Sequence, residues 1–141
     1  MIPLLESAYA SKGLYQELLG PLCKKYNLTD SEVIILLYLA DNNPADTATE
    51  IVRFQRLKKS VVSMSLDDLE NRGMIESCYE EGNRRTKHLK VKDNAREVIK
   101  EARKIQEQYY QLLTEGLEKK EKDQLNGYLK RINRNISGYS I

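Results

Sequence analysis

The sequence predicts a mainly α-helical chain that carries one small β-hairpin, and three observations lead there. Apolar residues recur at helical spacing through most of the 141 residues. Two capping boxes, Thr29-Asp30-Ser31-Glu32 and Thr47-Ala48-Thr49-Glu50, mark helix starts inside the first half. After Gly73 the pattern changes to short alternating runs around Gly82, in a stretch (Gly82 to Lys92, GNRRTKHLKVK) with five Lys or Arg, one His and no acid. Helix, helix, strand, basic turn, strand is the order of a winged helix-turn-helix.

The elements follow in order. Leu4 to about Tyr26 has broadly helical spacing, with Gly13 and Pro21 as weak points. The Thr29 box opens a helix through Ala40 whose run VIILLYLA is apolar all round, which places it at the centre of the core. Asp41-Asn42-Asn43-Pro44 ends it, because proline disfavours a helical residue before it. The Thr47 box starts a short helix through about Arg56. A break near Leu57-Lys58 leads to the next helix, with Val62, Leu66 and Leu69 on its inner side and Gly73 as its stop.

Met74–Tyr79 and Thr86–Lys92 read as strands, with Gly82-Asn83 as the turn between them. From about Asn94 an amphipathic helix runs past Leu113, and after Gly116 a second stripe follows from Leu125 to Ile136. The domain reading is 1–28 as an N-terminal dimerisation helix, 29–93 as a DNA-binding lobe, and 94–141 as C-terminal dimerisation helices. The terminal helices have apolar stripes that either fold back on the lobe or pair with a second copy; two-fold pairing is the expectation, since it gives a DNA reader a matching palindromic site.

Charge supports a nucleic-acid face. Residues 1–50 hold 3 basic and 7 acidic groups, residues 51–92 hold 10 and 6, and residues 93–141 hold 10 and 8. The net charge of +2 is therefore concentrated around the hairpin. Cys23 and Cys78 cannot form a disulfide framework and lack metal-ligand spacing. The N-terminus lacks a signal-peptide pattern and no apolar run is long enough to span a bilayer, so a cytoplasmic protein is expected. No nucleophile–base constellation, P-loop or dinucleotide fingerprint is present, so neither an enzyme nor a cofactor is expected.

In the candidate recognition helix the outer N-terminal side is expected to present Lys58, Lys59, Ser60, Val61, Ser63 and Met64. Lys suits phosphates or guanine acceptors, Ser donates or accepts, and Val or Met can touch a thymine methyl. The bland alternative is a plain surface helix, and Asp67 and Asp68 confine the DNA reading to the first two turns. At the wing, Arg84 and Arg85 fit a narrow, electronegative minor groove, with Lys87 and His88 as phosphate contacts; the alternative is a solvated turn.

Leu28-Thr29 before the core helix, Leu69-Glu70-Asn71-Arg72-Gly73 followed by Met74-Ile75, and Asn83-Arg84-Arg85 followed by Val91-Lys92-Asp93-Asn94-Ala95 resemble, in register, the motifs of the MarR family of bacterial winged-helix transcription regulators. Asn83 stands where that family has a wing aspartate, and Lys92 and Ala95 replace its threonine and glycine. The resemblance implies a homodimer that binds a pseudo-palindromic double-stranded operator, as a repressor more often than an activator. It also implies a site for a small aromatic or apolar effector between the dimerisation helices and the lobe, with Tyr9, Tyr15, Tyr38, Tyr109 and Tyr110 as candidates. Some relatives sense oxidants through an N-terminal cysteine, for which Cys23 is the candidate, with Lys24 and Lys25 able to lower its thiol pKa; buried packing is the other reading. The alternative function is a winged-helix protein-interaction module without DNA binding.

Overall fold

A computed structural model describes residues 1–41 and 46–139. Its elements are α1 (Pro3–Tyr26), α2 (Asp30–Asp41), α3 (Ala48–Gln55), α4 (Lys59–Asn71), β1 (Ile75–Glu80), β2 (Asn83–Val91), a 3-10 turn at Asp93–Ala95, α5 (Arg96–Leu113) and α6 (Lys119–Ser137). The mainly helical winged helix-turn-helix architecture is thus the one expected.

α1 runs unbroken through both expected weak points. Pro21 lies on its exposed side, where water can take the carbonyl that proline leaves without a donor. Asn27 ends the helix in the left-handed region (φ 53), a conformation asparagine tolerates, and Leu28 N–H donates to Cys23 O at 2.9 Å. The first capping box is complete: Glu32 N–H donates to Thr29 Oγ1 (3.1 Å) and Thr29 N–H to Glu32 Oε1 (2.9 Å). The second is partial, because Thr47 Oγ1 accepts from Glu50 N–H while Glu50 takes the Thr47 hydroxyl rather than its amide. The stop at Asn42–Pro44 lies outside the described residues; α2 extends at least to Asp41.

α2 is the hub. Val33, Ile35, Leu36, Leu37, Tyr38 and Leu39 are all buried, and the helix packs against α1, α4, α5 and β2. Leu19 and Leu22 of α1 and Val98, Ile99 and Ala102 of α5 belong to the same apolar cluster, so the expected lobe and its flanking helices share a core. A carboxylate enters it. Glu32 is 4% exposed, and its Oε2 has no hydrogen-bond partner. Burial, then the nearby Asp68 carboxyl of α4, pushes its carboxyl above the usual range.

The turn from α3 to α4 passes through Arg56 in the left-handed region (φ 53, ψ 34), which costs a non-glycine residue about 1 kcal/mol. Val62, Leu66 and Leu69 anchor α4 inward, each burial contributing about 2 kcal/mol. Gly73 (φ 70) reverses the chain, with Met74 N–H on Leu69 O at 2.9 Å, and an added Cβ would stand 3.3 Å from Asn94 Nδ2. Arg72 reaches from the end of α4 to α1, donating to Tyr26 O (2.6 Å) and Asn27 O (2.7 Å), while Asn94 Nδ2 donates to Arg72 O (3.2 Å).

β1 and β2 pair antiparallel from Ile75↔Val91 to Tyr79↔Lys87, after which Glu80 pairs with Asn83. The second strand begins three residues earlier than the sequence indicated, at Asn83 rather than Thr86, and the tip is Glu81-Gly82. Leu89 N–H donates to Asp46 O (3.0 Å), tying the hairpin to the segment before α3. α5 and α6 follow one another in sequence, joined through a turn at Gly116 (φ 85). α6 starts with a capping box of Glu118 and Glu121, and none of its residues is buried.

Candidate nucleic-acid interface

Local sequence dictates how α4 presents itself. Its apolar residues at i, i+4 and i+7 face the core, so the intervening N-terminal positions face outward. Lys58, Lys59, Ser60, Ser63 and Met64 are exposed, Met64 to 73%. Val61, expected on this outer side, is half-buried. The first turn carries no acid. Farther along, two of the three acids are engaged within the chain, Asp68 3.6 Å from Arg72 and Glu70 accepting from Ser77 Oγ at 2.7 Å, while Asp67 is exposed. The Ser77 hydroxyl, then Lys87, holds the Glu70 carboxyl below the usual range. The N-terminal half of α4 is thus positive, and its acids lie in the C-terminal half.

The hairpin register explains why the two arginines project. Tyr79 pairs with Lys87 but the adjacent Glu80 pairs with Asn83, so Arg84, Arg85 and Thr86 have no partner across the ladder and form a bulge. A bulge bends a strand and re-aims its side chains. Asn83 Oδ1 accepts Arg85 N–H at 3.0 Å and its Nδ2 donates to Thr86 Oγ1 at 3.4 Å. A neutral side chain thereby supplies the local turn bond at the position where the resembled family has aspartate. Arg84 and Arg85 are exposed and, among the described residues, make no ion pair.

Two other basic wing residues are committed inward. Lys87 Nζ stands 3.4 Å from Glu70 Oε2, so part of its charge is answered by the recognition helix. His88 is held by carboxylates of its own chain. It is half-buried, with Nδ1 2.6 Å from Asp46 Oδ1 and Nε2 3.1 Å from Glu80 Oε1, short of hydrogen-bond geometry at Nε2. The Asp46 bond, with Glu80 behind it, raises the imidazole above its ordinary value. No spacing signal links Asp46 to His88, 42 residues on.

Of the tyrosines proposed for an effector, Tyr15, Tyr38 and Tyr109 come together at a cavity of about 510 Å³ among α1, α2, α3 and α5. Tyr15 and Tyr109 have ring centroids 5.0 Å apart, and Gln55, Gln106 and Asp41 add polar groups to the wall. Tyr9 is exposed elsewhere on α1, and Tyr110 accepts from Asn126 Nδ2 of α6 at 3.2 Å, so neither lines this cavity. Cys23 is half-buried; burial, then Asp30 and Glu32, pushes its thiol up, opposite to the effect expected of Lys24 and Lys25. Lys25 instead pairs with Glu101 at 2.6 Å. Cys78 is the exposed thiol, on β1. Among the described residues no group of three or more His, Cys, Asp or Glu is placed to hold a metal, and no helix is long and apolar enough to cross a membrane.

Comparison with known proteins agrees with this geometry. Residues 26–86, from the end of α1 to the wing bulge, match the MarR family. No curated protein sequence matches the chain significantly. Among solved structures, a MarR family transcriptional regulator from Listeria monocytogenes complexed with 26mer DNA superposes with a TM-score of 0.86 at 18% identity, covering 98% of this chain and 91% of that one. The transcriptional regulator SlyA gives 0.83 at 19% identity, with 97% and 96% covered. MarR itself gives 0.77 at 25% identity, with 98% and 100% covered. Residues 26–86 of this chain thus resemble the MarR family, and nearly its whole length shares the fold of winged helix-turn-helix regulators of that family.

Proposed function

We propose that the protein is a homodimeric, sequence-specific DNA-binding regulator that represses from a pseudo-palindromic operator and is released by a small aromatic or apolar effector. One observation carries the DNA reading: an acid-free, exposed first turn of α4 lies on the same lobe as a bulge holding two unpaired arginines. Lys59, Ser60, Ser63 and Met64 would read base edges in the major groove, and Arg84 and Arg85 would enter the flanking minor groove. The solved Listeria relative is complexed with a 26mer DNA, which supports DNA as the ligand.

The dimer rests on apolar surface that the chain leaves uncovered. Ile2 at the cap of α1, Leu4 and Leu5 on α1, and Leu112, Leu113 and Leu129 on α5 and α6 are all exposed. In this reading residues 1–28 and 94–141 form the dimer frame, residues 29–93 the reading lobe, and the pair works in the cytoplasm. Two lobes then present their recognition helices about 34 Å apart, one turn of DNA. The tyrosine cavity lies between frame and lobe, where a ligand that prefers a different lobe spacing shifts the population away from the DNA-bound form.

Selection of bound sequences from a random DNA pool, with sedimentation of the free protein, tests these claims together. The expected result is an inverted repeat with half-sites one turn apart and a particle of twice the chain mass. A log-affinity against log-salt slope near zero would instead establish a protein-interaction module.

A further inference from the structure

The base of the wing carries positive charge of its own. There the last rung of the hairpin, the C-terminal end of α2 and the first half of α5 border an open groove of about 480 Å³. Lys92, Arg96, Lys100, Arg103 and Lys104 line it, against a single acid, Asp93. Arg96 is answered by Asp93 at 2.8 Å and Arg103 by Asp41 at 2.7 Å. Lys92, Lys100 and Lys104 make no ion pair among the described residues. Glu101, three positions before Lys104, is engaged instead by Lys25 and the Tyr26 hydroxyl.

This charge is not part of the reading surface. Val91 pairs with Ile75 at the end of the ladder farthest from the turn, and seven residues, about 23 Å of strand, separate Lys92 from Arg85. α2 packs against α4 on one face and α5 on another, so it stands between the groove and the recognition helix. Nor does the groove suit a second copy of the chain, because two-fold pairing sets a patch against itself and like charges repel. The exposed Leu112 and Leu113 lie toward the other end of α5, about 12 Å beyond Lys104.

The spacing of the cations describes what would fit them. Arg96, Lys100 and Lys104 stand at i, i+4 and i+8, a row about 12 Å long on one side of α5. A helix laid along that row meets it with Asp or Glu at the same interval. Between the cations, exposed Ala40 and half-buried Val91 leave apolar surface, which an aliphatic side chain covers and a phosphate backbone does not. We propose that this groove docks an acidic amphipathic helix of a protein partner, its carboxylates on Lys92, Arg96, Lys100 and Lys104 and an aliphatic residue on Ala40 and Val91. Docking there leaves α4 and the wing bulge uncovered.

The probe is a fluorescein-labelled helical peptide of about 20 residues, with Glu at every fourth position and Leu along one flank. Its counterpart carries Gln at each Glu, and binding to the full chain is followed by anisotropy. The Glu peptide is expected to bind, less tightly as salt rises, and the Gln peptide to bind about tenfold more weakly or not at all. Lys100→Glu combined with Lys104→Glu should cut binding about tenfold or more with an unchanged circular dichroism spectrum, since both side chains are exposed. Lys119→Glu combined with Lys120→Glu, the same charge change on α6, should leave binding as in wild type. No binding of the Glu peptide to wild type, equal binding of the Glu and Gln peptides, or wild-type binding by the Lys100 and Lys104 variant overturns the proposal. Equal losses in the two double variants reduce the effect to net charge and overturn it as well. If the Lys100 and Lys104 variant loses a DNA duplex along with the peptide, the groove is a nucleic-acid contact and the proposal fails.

Discussion

His88 Nδ1 and Asp46 Oδ1 stand 2.6 Å apart and join the wing to the segment ahead of α3, across 42 residues of sequence. The imidazole is raised above its ordinary value by that bond, so the folded chain holds its proton more tightly than the unfolded chain does. The stabilisation is full below the unfolded value of about 6.5 and disappears as pH rises through the elevated folded value. The thermal midpoint of the wild type is therefore expected to decline over that window, and Asp46→Asn should flatten this part of the profile. Identical slopes in the two proteins would rule the clamp out.

The two halves of the interface separate by salt. Arg85→Ala is expected to weaken binding to all duplexes and to lower the salt slope by about 1 for each copy bound. Met64→Ala or Ser63→Ala should instead reduce discrimination at one base position, by about 1 kcal/mol, with the slope unchanged. Titrations at several salt concentrations on the selected operator and a scrambled duplex distinguish these outcomes. Wild-type behaviour of Arg85→Ala would exclude the bulge from DNA.

Glu32 is expected to carry an electrostatic cost. A carboxyl held above its ordinary value protonates more readily folded than unfolded, so folding is penalised once pH exceeds both values. Glu32→Gln keeps an oxygen for Thr29 N–H and offers an amide to the unpartnered side next to Asp68. Its thermal midpoint should exceed that of wild type at pH 7 to 8, and the advantage should shrink toward pH 4. A lower midpoint at pH 8 would show that the charged cap outweighs the burial.

The thiols should react in the order of their surroundings. Iodoacetamide at pH 7 is expected to modify exposed Cys78 before Cys23, whose thiol is pushed up by burial and two carboxylates. Peptide mapping over time gives the order. DNA binding that is lost in step with Cys23 modification, at low reagent, would restore the redox reading.

Features set by near neighbours in sequence were legible before the structure. The Thr29–Glu32 box, Gly73 and the inward stripe of α4 depend on residues within one or two turns, and each lies as read. The fates of Lys87 and His88 were not legible, because Glu70 and Asp46 reach them only through tertiary packing. The bulge was missed for a related reason: alternation marks a strand but not the pairing that leaves Arg84 to Thr86 unopposed. Glu118 escaped notice as a cap because Ser, Thr, Asp and Asn dominate that position, yet its carboxylate serves the same amides. The tyrosine cavity was half legible. Composition pointed to aromatics, but only the crossing of α1, α2 and α5 selects three of the five.

Arg72 has a mechanical consequence. With its guanidinium on the carbonyls of Tyr26 and Asn27 and its own carbonyl held by Asn94, it pins the rear of the recognition helix to α1 and to the entry of α5. The reading end lies about 20 Å away along α4. A tilt of about 10° at this pin displaces Lys59 by about 3.5 Å, close to the roughly 3.4 Å rise of one base pair. In the proposed DNA reading the helix is a lever with its fulcrum at Arg72, and because Val62, Leu66 and Leu69 are buried along its length, a step of its tip from one base pair to the next requires the core beneath it to shift as well.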